Sequence, residues 1–80
     1  MKIPKHIVTK LIKIDKNYKQ SMHLSREIDE WLTENGIDIY KLRSETSSVL
    51  ESAEHGELLS LDYEEIALLL LKNIEDLKQN

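Results

Sequence analysis

Eight apolar or small side chains recur along the first part of the chain at alternating separations of four and three residues: Ile7, Leu11, Ile14, Tyr18, Ser21, Ser25, Ile28 and Leu32. This spacing is a heptad seam, the pattern of a helix packed lengthwise on other helices. Pro4 suits a first helical turn, where its missing N–H has no partner to lose. The stretch "ENGID" supplies a stop, with Gly36 in the left-handed position after the last turn and Ile37 making the apolar contact that follows it. The pattern therefore predicts a first helix over residues 4–35, roughly 45 Å long at 1.5 Å per residue. Ser21 and Ser25 interrupt the seam with small side chains, leaving room for a close backbone, for a leucine of the last helix or for Trp31, which is expected in the core.

The remainder reads as two shorter helices. Asp38 is a suitable N-cap for a second helix over 38–55, whose apolar stripe is Ile39, Leu42, Thr46, Val49, Leu50 and Ala53 and which Gly56 terminates. "SETSS" is poor in helix formers, so this helix should have a weak or broken start. A third helix over 62–78 has the best-specified beginning. Asp62 and Glu65 are spaced as a capping box, with Leu61 and Ile66 placed as a hydrophobic staple. With two glycines, one proline and no phenylalanine, the chain offers few turns and reads as all-α. The expected architecture is a single helical domain over residues 1–80: one long N-terminal helix with two shorter helices packed along it, completed as a bundle by oligomerisation.

The oligomer follows from Leu68 to Leu71. Four leucines in succession leave no polar side on that turn. Leu70 and Leu71 share a face with Ile66, Ala67, Ile74 and Leu77; Leu69 lies at its edge and Leu68 points nearly opposite. A helix apolar all round is normally buried all round, and three helices do not easily enclose one of their own. Leu68, Leu69 and Leu71 are therefore expected at a chain–chain contact, most simply in a symmetric homodimer.

Other features exclude more than they assign. There is no cysteine, hence no disulfide framework and no thiolate zinc site, in keeping with a cytoplasmic location. The longest apolar run, Ile66 to Leu71, is six residues, against roughly 20 for a bilayer span, and lysines interrupt the N-terminal "IVTKLIKI". No membrane segment or signal peptide is expected. His6, His23 and His55 are far apart in sequence. His23 and Glu27 share a helix face, but that spacing serves an exposed pair as readily as a metal half-site. Glu27, Asp29, Glu30 and Glu34 read as a solvated acidic face, and Ser44, Ser47 and Ser48 lack a nucleophile elbow. No catalytic residue, metal or cofactor is assigned, and an enzyme is not expected.

Charge is uneven. Residues 1–20 carry six lysines against Asp15, whereas residues 21–80 carry five basic and fourteen acidic side chains. Lys5, Lys10, Lys13, Lys16 and Lys19 fall opposite the seam, near Lys2 and His6. This stripe is either the solvated back of an amphipathic helix or a contact for phosphates. "WLTENGIDIYKL" loosely resembles a helix-turn-helix, which would imply a DNA-reading second helix. It departs from that motif at Leu32, where a small residue is required, and at Asn35, where an apolar one is. Its second helix offers only Lys41 and Arg43 among Glu45 and Glu51.

"KIPKHI" followed by "REIDEWLTENGID" resembles a group of short uncharacterised proteins encoded by phages, prophages and other mobile elements of Gram-positive bacteria. The resemblance covers the first half of the chain and carries no residue role. It implies a small cytoplasmic accessory or regulatory protein that binds a host or phage protein. The expected function is thus non-enzymatic protein–protein interaction. The rival is a nucleic-acid-binding accessory factor using the lysine stripe.

Overall fold

The computed structural model of the chain describes residues 2–16, 22–45, 48–58 and 61–79. Among them lie five helices and no strand: α1 (Lys5–Lys16), α2 (Met22–Glu34), α3 (Ile39–Glu45), α4 (Val49–Glu54) and α5 (Tyr63–Gln79). The all-α expectation holds, but the single helix over 4–35 does not. Lys10 Nζ lies 3.6 Å from Glu27 Oε2, whereas seventeen positions along one straight helix would separate them by about 25 Å. α2 runs back beside α1. The physical reason is burial. A heptad seam is apolar whether its two halves lie end to end or face each other, and facing buries both. Ile7, Leu11 and Ile14 of α1 and Ile28 and Leu32 of α2 are almost wholly shielded and belong to one core. The extents of 32 × 23 × 21 Å and radius of gyration of 11.5 Å match the ~11.6 Å expected of 80 compact residues. The reversal within one chain removes the need for a second copy to pack along a rod. Tyr18, Lys19 and Ser21 lie outside the described residues. Ser25 leaves no gap: it is half-buried, and its hydroxyl donates to Glu54 Oε1 at 3.3 Å.

Local signals fix the helix ends. Gly36 takes φ +77°. Its N–H donates to the Thr33 carbonyl at 3.0 Å, and the Ile37 N–H to the Leu32 carbonyl at 2.9 Å, which is the Schellman pattern, with Ile37 buried against the core. The same pair of bonds recurs at Gly56 (φ +69°), from Gly56 to Ala53 and from Glu57 to Ser52. Asp38 Oδ1 accepts the N–H groups of Tyr40 and Lys41 and starts α3. The expected helix over 38–55 is two helices. Ser48, fully buried in an extended conformation, caps α4 by accepting the Glu51 N–H at 3.4 Å. Asn73 of α5 accepts the Val49 N–H at 2.9 Å, so a side chain from across the fold satisfies an end that the weak "SETSS" stretch leaves open; Thr46 and Ser47 lie outside the described residues. The capping box at α5 forms as read, Glu65 N–H to Asp62 Oδ1 at 2.9 Å and Asp62 N–H to Glu65 Oε1 at 3.5 Å.

α1 is the hub, packed by α2, α4 and α5. Near its C-terminal end Asp15 is buried, and its Oδ1 accepts the Leu58 N–H at 2.7 Å. An anion is poorly placed beside a helix C-terminus; this charge-assisted bond, which holds the segment after α4, offsets that. Trp31 is half-buried against the core rather than enclosed by it.

Candidate docking face on the last helix

The four leucines part company around α5. At about 100° per residue, Leu70 points inward between Ile66 and Ile74 and is wholly buried. Leu71 is half-buried. Leu68 is 64% exposed and Leu69 39%. Among the described residues nothing encloses Leu68, and Leu69 is covered only in part.

Two grooves flank this crest. One, of about 380 Å³, has a wall from the N-terminal segment and the start of α1, with Lys2, Ile3 and Lys5; its other wall is α5, with Glu64, Ala67, Leu68 and Leu71. Tyr63 also lines it. The Tyr63 hydroxyl oxygen is shielded from solvent and has no hydrogen-bond partner among the described residues. On the far side Leu69 borders a smaller, mostly polar groove of about 170 Å³, with Val49, Ser52, Glu57, Leu58, Leu61 and Asn73. The result is an apolar ridge with a recess on each side, charged at its rims.

The lysine stripe is divided. Lys5, Lys13 and Lys16 are exposed and make no ion pair among the described residues. Lys10 is partly covered, its ammonium donating to His6 Nδ1 at 3.1 Å and facing Glu27. Lys19 lies outside the described residues. The acidic face is also partly committed. Arg43 reaches Glu54 Oε1 with Nη1 at 2.9 Å and Asp29 Oδ1 with Nη2 at 3.1 Å, tying α2, α3 and α4 together. Burial of the guanidinium opposes its charge, but the bonds to Glu54 and Asp29 and their charges outweigh that, and its pKa stands above the ordinary value. Arg43, read from sequence as one of two cations on a DNA-reading helix, is held inside the fold and is not offered to phosphates. Its partners lie 14 and 11 positions away, a pairing with no local sequence signal, as is also true of Asp15 and Asn73.

His6, His23 and His55 are exposed. Among the described residues no three His, Cys, Asp or Glu side chains are grouped to hold a metal ion, and no helix is long and apolar enough to cross a membrane. Comparison with protein-family models, curated proteins and solved structures finds no match.

Proposed function

We propose that the chain is a non-enzymatic interaction module whose docking face is the outer side of α5. The observation that carries this reading is Leu68, a large apolar side chain 64% exposed at the edge of an apolar groove. Single exposed leucines are ordinary, but Leu68 beside Leu69 and at the edge of a mostly apolar groove is the kind of exposed apolar surface that marks a protein contact. A partner helix laid in the groove would use the helix-in-groove mode, anchoring apolar side chains at helical spacing. An accessory or regulatory role in a cytoplasmic mobile-element setting is the context proposed with it, on the resemblance of "KIPKHI" and "REIDEWLTENGID". The test is a photo-cross-linking residue at position 68, compared with one at Glu30, which is exposed on α2, both expressed in the native cells. Adducts to protein from position 68 and few from position 30 are expected. Equal yields would sink the docking face.

A second reading rests on Lys5, Lys13 and Lys16, exposed and without an ion pair among the described residues. If they bind nucleic acid, affinity for generic DNA falls steeply between about 50 and 200 mM salt, by counterion release. Fluorescence anisotropy reads this directly, and Glu at the three positions should abolish it without unfolding the chain. No binding at the lower salt rules this reading out.

A further inference from the structure

We infer that the α5 groove is closed by a second copy of this chain, with a two-fold axis running along the groove. The inference rests on α5 being a docking face and names what docks there. The argument is the disposition of charge. One wall of the groove carries Lys2, Ile3 and Lys5 and the other carries Glu64, Ala67, Leu68 and Leu71. A two-fold axis lying in an interface parallel to such a groove exchanges left for right and keeps the level along the groove unchanged. The basic wall of each copy then faces the acidic wall of the other, so Lys5 of one copy approaches Glu64 of the second, twice. Leu68 of each copy meets the wall of the other that carries Ile3. The patch is thus complementary to itself, in charge and in apolarity together. A partner helix of uniform charge would satisfy one wall and be repelled by the other. The same operation sets the two α5 helices parallel.

Neither Lys5 nor Glu64 is part of the core, and both are exposed, so charge reversal tests the arrangement. Lys5→Glu places two carboxylates opposite each other at both contacts of the dimer, and Glu64→Lys places two ammonium groups there. Each variant alone should dimerise more weakly than wild type by about tenfold or more. An equimolar mixture restores both opposite-charge contacts in the heterodimer and should recover association close to that of wild type. Sedimentation velocity over a micromolar to millimolar range reads all four samples, and circular dichroism verifies that the helices persist. An independent measurement does not rely on charge reversal. A photo-cross-linker at position 68, in a mixture of isotope-labelled and unlabelled chains, should give an adduct at twice the 9.4 kDa chain mass, joined between copies at residues 2–5. Wild type that remains monomeric to millimolar concentration overturns the inference. So does a dimer that the mixture fails to restore and whose cross-link maps away from residues 2–5. In either case, adducts to another protein from position 68 in native cells would leave the docking face standing, so the two failures are distinct.

Discussion

Removing the Tyr63 hydroxyl should make the protein more stable. Tyrosine to phenylalanine ordinarily loses a hydrogen bond and costs about 1 kcal/mol. Here the hydroxyl oxygen is shielded from solvent and has no partner among the described residues. The folded state therefore gives up hydration of that group and recovers nothing, a penalty of about 1–3 kcal/mol. The ring itself is half-buried against the core, and its packing is unchanged in phenylalanine. Part of the penalty is relieved if the ring shifts slightly toward the groove it lines, so the lower end is the better figure. Tyr63→Phe should stabilise by about 1 kcal/mol, which for a chain of this size raises the melting temperature by about 4–8 °C. Urea denaturation followed by circular dichroism gives the free energy, with the slope expected to match wild type because the exposed surface is the same. A loss of 0.5 kcal/mol or more, on the order of a net hydrogen bond, would show that the hydroxyl is satisfied in solution and that the reasoning is wrong.

Three further perturbations probe other parts of the fold. Gly36→Ala meets no atom within 4 Å of the added carbon, so its cost is the left-handed backbone alone, about 1–2 kcal/mol, read from the same urea curves. Asp15→Ala strands the buried Leu58 N–H and should cost about 1.5–3 kcal/mol, while Asp15→Asn, which keeps an acceptor oxygen, should cost less; equal losses would argue against the bond. Trp31→Ala removes a half-buried ring, so the loss should fall below the ~3–5 kcal/mol of an enclosed one, and the variant should still unfold cooperatively by circular dichroism.

The parts of the fold legible in the sequence are those written in neighbouring residues. Gly36 with Ile37, Asp38 before α3, and Asp62 with Glu65 each place a helix end by chemistry within a few positions. The reversal between α1 and α2 was not legible because an apolar seam records which side is buried and not where the chain turns. The break before α4 was half legible: "SETSS" announces weakness, but the Asn73 side chain that caps Val49 comes from 24 positions away. The leucine run marked a turn with no polar side, and two of its residues, Leu68 and Leu69, are exposed in the structure. The wheel set Leu70 inward, Leu69 at the edge and Leu68 nearly opposite, and the structure keeps that order. The lysine stripe was legible as a stripe, and the tethering of Lys10 to Glu27 was not, since it depends on the reversal between α1 and α2.

The position of α1 at the centre of the bundle has a consequence for how the chain is made. Among the described helices it comes first in order, and two of the helices packed on it, α4 and α5, follow it in the chain by tens of residues. A twelve-residue helix is marginal in water without tertiary support. From Lys16 to Gln79 the ribosome adds 63 residues, about 3–13 s of synthesis. Helical chains of this kind fold in milliseconds or less. The apolar side of α1 must therefore wait several seconds for surfaces that then close over it almost at once.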